Sequence, residues 1–247
     1  MRLKEKVVMI TGAARGLGRT FATAMAGEGA KIVALDIADT DETVRMITDA
    51  GGTARSVCAD VTVEADCDRA AEETVAAFGR IDILVNNAAI IYGIERKPFY
   101  EIDPAEWDRV MTVNVKGAWL CTRAVFPYMQ RQGKGKVVNL SSETYFTGSH
   151  GFVHYVTSKA GVVGLTRSMA VELGPHNITI NALAPGFTDS EASRSIADIS
   201  KYDISRTPMG RLQQPDDLIG ALLFLSSDDS DFVTGQTILV DGGRVMH

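Results

Sequence analysis

Cysteine is scarce: 3 of 247 residues, Cys58, Cys67 and Cys121, lie far apart, with no Cys-x-x-Cys pair and no histidine at metal-ligand spacing. No disulfide framework or metal site is expected, and buried free thiols in a reducing cytoplasm suit the pattern. Basic residues are also short. The 25 Lys and Arg stand against 31 Asp and Glu, a formal charge of −6, and no basic run occurs. Polyanions require clustered cations, so nucleic acid is not an expected partner. No stretch approaches the roughly 18 apolar residues of a membrane span. Met1 to Lys6 leads straight into an apolar run, without the uncharged core and cleavage site of a signal peptide, so a cytoplasmic protein with no membrane contact is expected.

What the chain does have is alternation. Short β-branched runs at Val7–Ile10, Lys31–Leu35, Ala54–Ala59, Ile83–Val85, Lys136–Leu140, Thr179–Ala184 and Thr237–Val240 read as strands. Between them lie helical stretches at about Gly16–Gly27, Asp41–Ala50, Glu64–Phe78, Pro104–Gln132, Val153–Leu173 and Pro215–Leu225. Repeated βα units of this kind predict an α/β fold: a doubly wound, seven-stranded parallel sheet of Rossmann type. With no repeat or linker, residues 1–247 read as one dinucleotide-binding catalytic domain. The polar, aperiodic stretch 187–214 follows a strand and reads as a substrate loop or lid.

The first strand runs into Thr11-Gly12-Ala13-Ala14-Arg15-Gly16-Leu17-Gly18 and then a small-residue helix. A strand, a tight glycine turn and a helix N-terminus aim backbone N–H groups and a helix dipole at one point, which suits a pyrophosphate. Gly12, Arg15, Gly16, Leu17 and Gly18 are therefore cofactor-site candidates. Asp36, 18 residues beyond Gly18 at the end of the second strand, stands where a carboxylate accepts from an adenosine ribose. A strand-end aspartate in a turn is the plainer alternative.

Tyr155 and Lys159 are four apart at the start of a predicted helix and share one face. A phenol is a poor base at neutral pH, and an adjacent ammonium is expected to lower its pKa. An exposed helical pair is what most such matches are. Ser142, however, follows the fifth strand, at the sheet edge where open α/β folds bind ligands.

The motifs together resemble the short-chain dehydrogenase/reductase family. From Val7 to about Gly243, the glycine loop, Asp60-Val61, Asn86-Asn87-Ala88, Asn114, Ser142, Tyr155, Lys159 and Pro185-Gly186 occur in the family's order and spacing. The resemblance implies that Ser142 hydrogen-bonds the substrate oxygen, Tyr155 transfers the proton, and Lys159 holds the nicotinamide ribose. It implies that Asn114 supports a water-linked proton relay, although a packed core asparagine would look the same in sequence. Asp60 and Val61 would face the adenine, Asn87 and Ala88 the adenosine ribose, and Pro185, Gly186 and Thr188 the nicotinamide. Ala89 departs from the family's frequent glycine, which matters only if its φ is positive.

The resemblance implies hydride transfer between a nicotinamide cofactor and a carbonyl or secondary alcohol; the Asp36 carboxylate, a like charge to a 2′-phosphate, favours NAD over NADP, with Arg15 as the counterweight. A homo-oligomer, dimer or tetramer, is also implied. Tyr92, Ser142, Thr144, Phe152, His154 and Phe187 are the substrate candidates, with Tyr145 and Phe146 nearby. Their aromatics suit a small apolar or ring-containing substrate, or simply pack. Similarity to the family's secondary-alcohol dehydrogenases favours that substrate, with a 3-oxoacyl thioester or a pyridoxal-type alcohol as the alternative. A dinucleotide sensor without turnover would have no need of Ser142, Tyr155 and Lys159 together. Sugar-nucleotide epimerases usually have another glycine spacing and a larger C-terminal domain. A serine hydrolase ranks last, since no Gly-x-Ser-x-Gly elbow is present.

Overall fold

Val7–Thr11 (β1) is buried along its whole length, as a strand covered on both faces must be. Successive side chains divide between the two faces. Val8 and Ile10 join one apolar cluster with Phe21, Met25 and Leu222, whereas Met9 joins the other with Leu84, Leu120 and Val125. In a computed structural model, which describes residues 1–246, six further strands follow: β2 (Lys31–Asp36), β3 (Thr53–Cys58), β4 (Ile83–Asn86), β5 (Gly135–Leu140), β6 (Ile178–Pro185) and β7 (Thr237–Val240). All pairings are parallel and the order is β3-β2-β1-β4-β5-β6-β7. The chain thus winds outward from β1 in one direction, then returns and winds the other way from β4. The crevice at that reversal is where open α/β sheets take their ligands.

The helices are α1 (Gly16–Gly27), α2 (Asp41–Asp49), α3 (Glu64–Phe78), α4 (Pro104–Met111), α5 (Gly117–Gln132), α6 (Thr144–Thr147), α7 (Val153–Leu173), α8 (Glu191–Ile196) and α9 (Ile219–Ser226). α1, α2 and α9 cover one face of the sheet; α3, α5 and α7 contribute to the cluster on the other. Two helices expected as continuous are not. The stretch 104–132 is broken by a π-helical turn at Thr112–Lys116, and the stretch from Pro215 opens as a 3₁₀ turn over Pro215–Leu218 before α9. The π turn has a visible cause. Asn114 at its centre is buried, its Oδ1 accepting from the Ile90 N–H at 2.7 Å and its Nδ2 donating to Ser158 Oγ at 3.0 Å. Just after it Gly117 passes so close to Val61 that a Cβ would lie 2.8 Å from Val61 Cγ2. A side chain tied to neighbouring elements on two sides fixes local geometry that a regular 3.6-residue repeat does not meet.

The stretch 187–214 contains more order than its sequence suggests. α8 and a 3₁₀ turn at Ile199–Lys201 lie within it, and Thr188 pairs with Gln213 to close its two ends.

Candidate active site

A cleft of about 1630 Å³ opens over the C-terminal edge of the sheet. A single small ligand typically fills about 300–1,000 Å³, so this volume has room for two ligands side by side. One end is built from the glycine turn. Gly12 and Gly16 have φ of +68° and +56°, values an L side chain adopts only with strain. Thr11 and Asn87 hold that turn shut. Thr11 Oγ1 accepts from the N–H groups of Asn87 and Ala88, and Asn87 Nδ2 donates to the carbonyls of Thr11 and Gly12, all at 3.0 Å.

Asp36 lies at the same end. Its Oδ2 accepts from the Ala14 N–H and its Oδ1 from the Ala38 N–H, each at 3.0 Å. Both oxygens are fixed in direction yet keep a lone pair for a further donor. Arg15 is exposed and its guanidinium sits 4.4 Å above the ring of Tyr92. Asp60 caps its own turn through Thr62, and with Val61, Asn87 and Ala88 it lines the cleft. Ala89 is not among the residues of positive φ, so alanine is unstrained there.

The other end gathers Ser142, Thr144, Phe152, Tyr155, Lys159, Pro185, Gly186, Phe187 and Thr188. Ser142 leaves the buried strand β5 and accepts from the Thr144 hydroxyl at 3.0 Å. Tyr155 and Lys159 project from the first turns of α7. Lys159 Nζ donates to the Leu140 carbonyl at 2.8 Å and lies 5.7 Å from the centre of the Tyr155 ring.

The expected electrostatics of this pair are reversed. Burial pushes the Tyr155 phenol up to about 12, against a hydrogen bond from Ser142 that lowers it. Burial alone pushes Lys159 down to about 8. Desolvation penalises the charged form of each, so in this geometry it is the lysine that titrates nearer neutrality.

Four sequence candidates, His154, Asn114, Tyr145 and Phe146, stand apart from the cleft lining. His154 is fully buried, and its Nε2 lies 3.1 Å from Glu106 Oε1. Residues adjacent on a helix point about 100° apart, so Tyr155 in the cleft sends His154 into the protein. Glu106 is held below the usual carboxylate range first by Lys97 and then, past its own burial, by His154. Asn114 lies behind the cleft wall, linked through Ser158 Oγ, which donates to the Tyr155 carbonyl at 2.7 Å. Tyr145 and Phe146 pack on each other, their rings 3.9 Å apart.

Several lining residues were not singled out from sequence. Glu143 is 4% exposed; Tyr202, Arg206 and Arg244 border the same space. Burial raises the Glu143 pKa, opposed by Arg244. The Ser142-Glu143-Thr144 order puts a carboxylate beside Ser142, a signal present in the sequence. Arg244 comes from beyond β7, and no local pattern could bring it here.

The described residues contain no cluster of metal-ligating side chains and no helix long and apolar enough to cross a membrane. A family model described as enoyl-(acyl carrier protein) reductase matches residues 12–244. The chain is 41% identical over 249 residues to the (2S)-[(R)-hydroxy(phenyl)methyl]succinyl-CoA dehydrogenase subunit of Thauera aromatica, covering 99% of this chain and 98% of that one. It is 39% identical over 250 residues to a 3-oxoacyl-[acyl-carrier-protein] reductase of Thermotoga maritima, covering both chains in full. A crystal structure of the 3-ketoacyl-(acyl-carrier-protein) reductase from Brucella melitensis, complexed with NADH, superposes with a TM-score of 0.89 at 34% identity, over 99% of this chain and 100% of that one. With the fold, the cleft and these likenesses spanning nearly its whole length, the chain belongs to the short-chain dehydrogenase/reductase family of nicotinamide-dependent oxidoreductases.

Proposed function

We propose that this enzyme moves hydride between NAD(H) and the carbonyl or secondary alcohol of a small substrate. The observation that carries the reading is the meeting of Ser142, Tyr155 and Lys159 at one end of a cleft whose other end is the glycine turn and Asp36. The cradle fits a dinucleotide: a Cβ on Gly12 would lie 2.8 Å from the Ala88 Cα, so only glycine lets the turn close against the end of β4 and lead into the α1 N-terminus, which suits an anion. Bound there, the cofactor supplies or accepts the hydride. Ser142 then orients the substrate oxygen, Tyr155 gives or takes its proton, and Lys159 sits one helical turn behind to carry charge. Asn114 supports the proton path from behind, through Ser158.

Purified protein with NADH or NAD and a panel of ketones and alcohols tests the reading, followed at the absorbance of reduced nicotinamide. The panel includes an aryl ketone, ethyl acetoacetate and an acetoacetyl thioester. The sequence favours an apolar or ring-containing alcohol. The thioester reading gains support from two of the relatives, whose names place their own reactions on acyl-CoA and acyl-carrier-protein derivatives. Oxidation or reduction of none of these compounds would remove the assignment.

NAD is the expected partner over NADP. Asp36 is pinned by two backbone N–H groups, so a 2′-phosphate meets a fixed like charge. At about 4 Å and an effective dielectric near 20 that contact costs about 4 kcal/mol before screening. Arg15 is the counterweight, and its stacking on Tyr92 is a competing position that a 2′-phosphate would have to draw it from. Comparing kcat/KM for the two cofactors gives a ratio in favour of NAD, and Asp36→Ala narrows it at least tenfold. A native preference for NADP would reassign the choice to Arg15.

A symmetric cytoplasmic homo-oligomer completes the proposal. Trp119, 40% exposed, lines a shallow apolar groove with Met111, Val115 and Leu165, formed by the end of α4, the π turn, α5 and α7. Light scattering at micromolar concentration is expected to give a dimer or tetramer mass; a monomer rejects it.

A further inference from the structure

Glu143 has no part in the chemistry assigned to its neighbour Ser142, yet its position is an expensive one. The residue is 4% exposed, and no well-formed hydrogen bond reaches its Oε2. A carboxyl buried with an unsatisfied oxygen costs stability unless its partners return something for it. Those partners come from distant stretches of chain. Arg244 Nε, beyond β7, lies 3.9 Å from Glu143 Oε1. The Phe187 N–H and the Tyr202 hydroxyl, both from the 187–214 segment, also act to favour the ionised carboxyl. Arg244 in turn donates to the Asp203 carbonyl at 2.9 Å and lies 5.1 Å above the ring of Tyr202. Tyr202 stacks on Phe187, the rings 4.2 Å apart and 15° from parallel. On its own side Glu143 is anchored rigidly, its N–H donating to the Pro185 carbonyl at 2.9 Å.

We propose that Glu143 is a substrate-positioning residue. Through Arg244 and Tyr202 it fastens the 187–214 segment to the loop carrying Ser142, so the stacked Phe187 and Tyr202 rings form a fixed wall beside the reacting carbon. All four side chains line the cleft. The wall is flat and aromatic, and it selects substrates whose group next to the carbonyl is planar or slim enough to lie against it. Holding the wall in place beforehand spares the substrate the entropy of ordering it, so the effect falls on substrate binding. The proposal rests on the reading of the cleft as a carbonyl-reductase site.

The test has two arms, using the full-length protein. In the first, hydrogen exchange followed by mass spectrometry compares the unmodified protein with Glu143→Gln and Tyr202→Phe. Glu143→Gln keeps the shape and removes the charge, and Tyr202→Phe gives a second route should that variant fold poorly. Exchange across residues 187–206 is expected to quicken at least tenfold in both variants, with α7 unchanged. In the second arm, ethyl acetoacetate is reduced with NADH. KM for the ester is expected to rise at least tenfold with a smaller change in kcat and none in NADH affinity, and the double variant to be no worse than the poorer single one. Unchanged exchange in both variants overturns the proposal whatever the kinetics, and so does altered exchange with unaltered KM. If the unmodified protein reduces no member of the carbonyl panel while the exchange result holds, the functional reading fails and Glu143 remains an anchor of the segment.

Discussion

Tyr155→Phe is expected to lower kcat/KM by about 10²–10⁴-fold, the range lost with a general acid/base, while cofactor affinity stays nearly constant. The substitution removes one hydroxyl and leaves the ring, which packs in a small apolar cluster with Ile94, Val110 and Phe152. Fold and cleft are thereby preserved, and the lost rate belongs to the proton. The pH profile follows from the same pair. Alcohol oxidation requires that the Tyr155–Lys159 pair has given up a proton, and the step nearest neutrality is that of Lys159, at about 8. Oxidation is therefore expected to rise with pH through about 8, as neutral Lys159 becomes able to take the proton that Tyr155 passes on from the alcohol, and carbonyl reduction to decline above it. The phenol alone, at about 12, would place the rise far higher. Near-normal turnover in Tyr155→Phe, or a flat oxidation profile with hydride transfer limiting, removes the pair from the mechanism.

Gly18→Ala carries the other large effect. A Cβ built on Gly18 would lie 2.0 Å from the Gly12 carbonyl oxygen and 2.7 Å from Asn87 Nδ2. Neither neighbour can yield cheaply: the first is backbone in a left-handed turn, and the second is the amide that holds the turn shut. Forced overpacking costs on the order of 1–3 kcal/mol, and a clash with backbone belongs at the upper end or beyond. A fall in Tm of several degrees is expected, together with a loss of NADH binding of at least a hundredfold by fluorescence titration. Gly27→Ala is the control. It ends α1 with open space around it, and both properties should stay within a few tenths of a kcal/mol or improve. Cofactor binding that survives Gly18→Ala would mean that the glycine turn does not hold the pyrophosphate.

The fold was legible because its signals are local. β1 is a continuous buried run and β2 is buried between its end residues, and the limits of α1, α3 and α7 are those the periodicity predicts. Most of the cleft was legible too, since strand ends and the glycine loop place residues at one edge regardless of detail. What escaped depends on contacts between distant segments. The π turn at Thr112–Lys116 follows from Asn114 reaching Ile90 and Ser158. His154, beside Tyr155, reads either as a substrate contact or as a packed or polar-rim histidine, and it is α7 that turns it inward toward Glu106. The direction of the Tyr155 shift depends on how deeply α7 buries it, and an i, i+4 spacing carries no information on depth. Glu143 was visible as a letter, but its meaning came from Arg244, a hundred residues away in sequence.

The Thr11–Asn87 clasp joins β1 to the end of β4, the two strands on either side of the winding reversal. It makes the cleft asymmetric in readiness. At the glycine end every group that would meet a cofactor phosphate is already fixed by backbone geometry, so arrival there restricts little motion of the protein. At the far end the walls are side chains borrowed from 187–214 and from beyond β7, held by a few polar contacts. The cofactor end is a finished seat, whereas the substrate end, on the proposal above, has its last wall tied down by a single buried carboxyl.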